Sequence, residues 1–331
     1  MVVVEAPPVP PVAALDHELL GASIVDVPTP DAQPESPLQQ KFRAPRDGEA
    51  WLYEPTHTYF VKGQQVHTSV TKLIKKHWPA FQPEVALQYY PQWKANKSSK
   101  YGMLIQYLQV VQERNDEFCK SAIAALWKRN GEIASKLGTD MHRDLQYICE
   151  GRDPPQGETD EVKMFRKWFT PFLNQYNLEP WRAEWIIYYE HKGRIVVAGQ
   201  VDLVLKHKER DEFWCCDWKR KDPAPKYPGG ARQILGHIPE GRFVEETGSG
   251  PFAELPHNDF SVYTTQLNAY GYIAATQYNI DFRDRMCLVQ IHPSLDTPVL
   301  VRVERMDDLM EDLFAREVAA LPAPDEPTEL F

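Results

Sequence analysis

Between residues 183 and 219 three strand-like runs follow one another with only tight-turn material between them. They read "AEWIIYYE" (183–190), "IVVAGQVDLVLK" (195–206) and "EFWCCDWK" (212–219), joined by "HKGR" and "HKERD". β-Branched and aromatic residues bounded by turn signals predict an antiparallel meander. A hairpin of the second and third runs has its midpoint between Glu209 and Arg210. Pairing symmetric about that midpoint sets Asp202 opposite Asp217. Directly opposed Cβ atoms lie only about 4.5–5.5 Å apart.

Two carboxylates that close in an apolar sheet repel each other. A divalent cation removes the conflict, and shared carboxylate oxygens suit Mg²⁺ or Mn²⁺. Lys219 is two residues beyond Asp217, so on a strand both side chains take the same face. There the lysine can orient a water or offset charge on a phosphate. Taken alone, Asp217 and Lys219 are more simply a surface ion pair of little worth.

Further motifs lie up- and downstream. "LGTDMH" (137–142) falls 60 residues before Asp202 and sets Thr139 and His142 on one helical face. "QLNAY" (266–270) sets Gln266 and Tyr270 four apart on a helix following the meander. By periodicity, residues 115–150 and 159–176 are amphipathic helices, with Gly131 and Gly138 as candidate interruptions of the first. Residues 261–278 are a third helix, 285–292 a strand and 306–320 a last helix. Upstream, "WLYEPTHTYFVK" and "VHTSVTKLI" predict short strands around a turn, then a helix capped near Ser69.

This set resembles the PD-(D/E)XK nucleases, and within them the RecB-like exonuclease branch. That branch includes mitochondrial genome maintenance exonucleases and large-DNA-virus relatives. The resemblance rests on Asp202, then Asp217-x-Lys219, with "GTDMH", "QLNAY" and the order of elements, and covers roughly residues 115–292. It implies an α/β fold: a restriction-endonuclease-like αβββαβ core with a mixed central sheet flanked by helices. It implies a Mg²⁺- or Mn²⁺-dependent DNase acting on single-stranded or end-containing DNA in repair, replication or recombination. Asp202, Asp217 and Lys219 are then catalytic. His142, Asp202, Asp217 and the Trp218 carbonyl hold metal, and Gln266, Tyr270 and Thr139 lie along the DNA. Arg220 and Lys221 stand where the insertion begins, and either hold the DNA backbone or face water. Ser69 and Thr71 read first as helix caps and second as phosphate contacts.

Glu184 is a secondary metal ligand whose place depends on a turn. A two-residue turn at Lys192-Gly193 pairs it with Val201, on the wrong face. A loop centred on Gly193, or a bulge, pairs it with Asp202. Glu190 ranks lower. The full acidic and lysine set argues against a silent DNA-binding module, the alternative reading.

The bulk numbers fit this reading. The net charge of −10 disfavours nucleic acid at first, but residues 1–45 and 307–331 carry the acidic excess. Basic groups such as "KLIKKHW", "KANKSSK" and "KRK" fall in the middle. The five cysteines form no C-x-x-C pair, so no zinc site is expected. They also lack the C-terminal trio that holds the iron–sulfur cluster of some relatives of the family this chain resembles, so that cluster is not expected. Residues 1–45 read as a disordered Pro-rich acidic tail, 46–114 as an N-terminal extension, and 115–320 as the core. Within the core, 221–260 is an irregular insertion, and 321–331 is a second acidic tail. The N-terminus lacks a basic n-region and has no Lys or Arg before Lys41, which argues against secretory and mitochondrial presequences. An intracellular protein, nuclear or cytoplasmic and without membrane association, is the expectation. The metal site does not read the sugar, so RNA stays open as a substrate, and the sequence names no protein partner.

Overall fold

The structure is a computed structural model that describes residues 35–222 and 246–321. Its class is α/β. The central sheet has five strands: β4 (Leu178–His191), β5 (Arg194–His207), β6 (Phe213–Lys219), β7 (Met286–Gln290) and β8 (Val299–Val303), in that spatial order. All neighbours are antiparallel except β6 and β7, which are parallel and make the sheet mixed. The parallel step needs a crossover, and helix α8 (Asp259–Tyr278) lies within it.

The sheet has an apolar core on each face. One side packs α2 (Val70–Lys75), α8 and α9 (Asp307–Ala319) around Leu73, Val201, Tyr270, Leu288 and Phe314. The other packs α6 (Asp116–Cys149) and α7 (Asp160–Tyr176) around Leu145, Phe165, Leu203 and Trp218. Asn115 caps α6 by accepting the Phe118 N–H at 2.9 Å, and Thr159 caps α7 through the Val162 N–H at 3.2 Å. Gly131 and Gly138 do not interrupt α6, which runs unbroken for 34 residues.

The order of helix, three strands, helix, strand and final helix is that predicted from sequence. β8 is an addition. Its "VLVRV" carries the alternating inward–outward pattern of a half-buried edge strand, so the signal was present.

The N-terminal region adds a three-stranded sheet, β1 (Ala50–Tyr53), β2 (Thr58–Val61) and β3 (Gln64–Val66), packed through Tyr59 and Val61 on Tyr188 and Ala198. The short helices α4 (Tyr90–Ala95) and α5 (Lys100–Gln106), which follow α3 (Pro83–Ala86), share a small core with the start of α6, around Tyr90, Ile105 and Ile123.

Two expected boundaries change. Residues 35–45 were assigned to a disordered tail, but α1 (Pro37–Lys41) is formed and held by a capping box of Ser36 and Gln39. The reason is Arg182, 1% exposed, which needs acceptors. Its guanidinium donates to the carbonyls of Leu38 (3.4 Å), Trp181 (2.8 Å) and Phe42, and pairs with Asp47 at 2.6 Å. The insertion at 221–260 is irregular only in part. Phe252 is fully buried and stacks on Trp78 at 5.8 Å. Residues 223–245 of that insertion, the first 34 residues and the C-terminal tail from 322 lie outside the described residues.

Candidate metal centre and active site

The β5–β6 hairpin has the register set by a midpoint between Glu209 and Arg210: Leu203 pairs with Cys216, Val204 with Cys215 and Leu205 with Trp214. The next outward positions are Asp202 and Asp217. There the regular ladder stops, and Asp202 Oδ2 accepts the backbone N–H of Trp218 at 2.6 Å. The Trp218 ring faces the other side, edge-on to Phe165 at 5.3 Å. Trp218 thus anchors the strand with its ring and the aspartate with its amide.

Glu184 reaches the same place by a bulge. Lys192 and Gly193 both have positive φ (49° and 78°) and form a two-residue turn between His191 and Arg194. That turn alone pairs Glu184 with Val201. A register shift beside Tyr189, where Ile195 pairs with Glu190 but Val197 with Tyr189, corrects it. Glu184 then lies across from Asp202, between the pairs Ala183–Leu203 and Trp185–Val201. Its own φ of 47° is left-handed, a strained conformation for a non-glycine residue inside a strand.

His142 arrives from α6. Its Nδ1 stands 3.4 Å from Asp202 Oδ1 and 3.6 Å from Glu184 Oε1. One donor atom from each of His142, Glu184 and Asp202 lies within 4.8 Å of the others, a spacing that could hold a metal ion. Glu184 Oε1 is buried and has no hydrogen-bond partner. A buried acceptor left open costs free energy unless a donor or a cation fills the gap. Two carboxylates and an imidazole form an oxygen-rich donor set that fits a divalent cation such as Mg²⁺ or Mn²⁺.

The electrostatics agree. Burial, opposed by His142 and reinforced by Asp202, raises the Glu184 carboxyl to about 7. Burial also raises Asp217 to about 6, with Lys219 pulling it down and Asp202 pushing it up. Asp202 goes the other way. Burial raises it, but His142, Lys219 and the Trp218 amide outweigh that, and its pKa falls below 3.8. For His142, burial disfavours the imidazolium, yet Asp202 and Glu184 carry the pKa well above 6.5. Three carboxylates, Glu184, Asp202 and Asp217, share one imidazole and one ammonium, and a bound cation would relieve the remaining crowding.

Lys219 Nζ pairs with Asp217 Oδ2 at 2.6 Å, with 15% and 3% of the side chains exposed. Asp217 therefore sits beside the His142–Glu184–Asp202 group with its Oδ2 turned to the lysine. Glu184, ranked second from sequence, is one of the three converging donors. Arg220 pairs with Glu161 of α7 at 2.8 Å, which ties the end of β6 to a helix. Lys221 pairs with Asp259 at the start of α8.

Gln266 and Tyr270 share a hydrogen bond of 3.2 Å, and Gln266 also donates to Thr71 Oγ1 at 3.3 Å. Ser69 caps α2 by accepting the Lys72 N–H at 3.1 Å. Gly199 lets these elements meet. A Cβ there would fall 2.7 Å from Tyr270 Cε1 and 2.8 Å from Val70 Cγ2. Thr139 is exposed and donates to Ser135 O at 3.1 Å within α6, apart from this network. Glu190 is structural, paired with Lys62 at 2.6 Å and Arg46 at 3.2 Å.

Three neighbours of the site went unremarked in the sequence. Tyr59 comes from β2, and burial together with the charges of Glu184, Glu54 and Asp202 raises its phenol. Only tertiary packing brings it here, so no local signal existed. Glu161 holds Arg220. Tyr263 lies against Lys219, and its spacing of three before Gln266 on one helix was a legible hint.

No family profile matches the chain, and no curated protein matches it. Among solved structures, 12 chains match. One, titled "Crystal structure of SSO0001", is 13% identical over 50% of this chain, with a TM-score of 0.24. The chain spans 60% of the length of that structure. A superposition that loose defines no shared fold. Among the described residues no helix is long and apolar enough to cross a membrane.

Proposed function

We propose that this chain is a divalent-metal-dependent nuclease of the RecB-like PD-(D/E)XK group, acting on DNA that is single-stranded or has free ends. The supporting observation is the convergence of His142, Glu184 and Asp202 within 4.8 Å, beside an Asp217–Lys219 pair. His142, Glu184 and Asp202 would hold the cation; the resemblance adds Asp217 and the Trp218 carbonyl. A bound Mg²⁺ or Mn²⁺ supplies Lewis acidity, which lowers the pKa of a water and offsets charge on a phosphodiester.

The chain's own residues do the rest. Trp218 N–H fixes Asp202 in one orientation, so the donor geometry needs little rearrangement. Lys219 pairs with Asp217 by charge, and among its three N–H donors one can hold a phosphate oxygen or the attacking water. Gln266 and Tyr270 brace α8 against α2 and shape the wall beside the site.

The test is a substrate panel. End-labelled single-stranded DNA, duplex DNA and RNA, with free or blocked ends, are incubated with protein and Mg²⁺ or Mn²⁺. Metal-dependent shortening of free-ended DNA is expected. Turnover of small phosphodiesters without degradation of any polymer would replace this reading with a small-substrate phosphoesterase.

A further inference from the structure

Lys219 has a second neighbour besides Asp217. Its Nζ stands 4.7 Å from the centroid of the Tyr263 ring. Tyr263 belongs to a stripe along α8. Asp259, Tyr263, Gln266 and Tyr270 follow one another at steps of four, three and four, so they share one helical face. Each has its partner: Asp259 pairs with Lys221, Tyr263 covers Lys219, Gln266 bonds Thr71, and Gln266 also bonds Tyr270. On the far side, Gln290 of β7 is the register partner of Lys219 and donates to the Lys221 carbonyl at 2.8 Å. The backbone bearing Lys219 is thus fixed from both sides.

A lysine side chain is long and loses much rotamer freedom when held. With Asp217 as its single partner, the ammonium would settle on that carboxylate. A ring face attracts a cation without using an N–H donor. Tyr263 can therefore hold the ammonium while leaving donors for Asp217 and for a reacting group.

We propose that Tyr263 is a positioning residue whose ring face sets the Lys219 ammonium at the edge of the His142–Glu184–Asp202 group. This rests on the nuclease reading for its catalytic consequence, but not for its structural one.

The experiment compares Tyr263→Phe, which keeps the ring face, with Tyr263→Leu, which keeps apolar bulk and loses it. Two readouts are taken on the full chain. The first is kcat and KM for end-labelled DNA with Mn²⁺, alongside Mn²⁺ affinity. Tyr263→Leu should lower kcat about tenfold with KM and Mn²⁺ affinity unchanged, and Tyr263→Phe should restore it. The second is acetylation of Lys219 by acetic anhydride, followed by mass spectrometry. Lys219 should react several-fold faster in Tyr263→Leu than in wild type or Tyr263→Phe. Equal Lys219 reactivity in all three proteins overturns the proposal whether or not DNA is cleaved. Equal kcat for the Phe and Leu variants overturns its catalytic part. If wild type cleaves nothing, the nuclease reading fails, and the acetylation rates still decide the role of Tyr263.

Discussion

Asp202 on β5 is held by the strand that follows it: its Oδ2 accepts the Trp218 N–H at 2.6 Å, where regular pairing between β5 and β6 ends. This contact explains why an acid sits at that point of the hairpin. The backbone amide left free by the broken ladder takes a carboxylate oxygen. Oδ1 remains to face His142 at 3.4 Å.

Asp202→Asn keeps an oxygen for the Trp218 amide and removes the charge. We expect a thermal midpoint close to wild type and Mn²⁺ affinity lower by about a hundredfold or more. Isothermal titration with Mn²⁺, paired with a thermal melt, separates the two effects. A variant that binds Mn²⁺ like wild type would remove Asp202 from the metal site.

Gly199→Ala forces a methyl into Tyr270 and Val70, both packed in the core. Overpacking of this kind costs about 1–3 kcal/mol. Denaturant titration should show that loss. Fluorescence of an added single-stranded DNA should show weaker binding as well, because α2 and α8 are pushed from β5.

Reading these elements from sequence succeeded where the rule was local. The hairpin symmetry gave the register that pairs Leu203 with Cys216, and a helical step of four put Gln266 beside Tyr270. Glu184 was legible only as a choice, because periodicity cannot show which strand absorbs the extra residue; the shift beside Tyr189 decided it. Arg182 and Tyr59 were not legible at all. Their partners, Asp47 and the carboxylate group, are more than a hundred residues away, and a lone Arg or Tyr in a strand carries no mark of burial. The helix at Pro37–Lys41 was missed for the same reason, since its acceptors matter only once Arg182 is buried.

Arg182 gives the next test. It is 1% exposed and paired with Asp47, so Asp47→Ala strands a buried charge. Loss of one partner of a buried pair costs about 3–5 kcal/mol, and chemical denaturation should register most of it. Faster proteolysis within residues 35–49 should accompany the loss, because those carbonyls and that carboxylate help hold the segment to β4, beside the Arg46–Glu190 and Lys41–Glu179 pairs.

The pH dependence follows from Glu190. A hydrogen bond from Lys62 is the leading cause that holds its carboxyl below 4.5, and Arg46 adds to it. A depressed folded pKa stabilises above the unfolded value, and that stabilisation is lost as pH falls through the folded value. Glu190→Gln should therefore be less stable than wild type near neutrality, and the gap should close below pH 4.5 on the way to acid unfolding. Urea melts across that range check it; a gap independent of pH would show that charge is not what Glu190 contributes.

The most direct measurement compares wild type, Lys219→Ala and Asp202→Ala on end-labelled single-stranded DNA, each with Mn²⁺ and with chelator. The account predicts degradation by wild type with Mn²⁺ alone, and a drop of about a hundredfold or more for either variant. Equal degradation by all three proteins, or degradation by wild type in chelator, would contradict it.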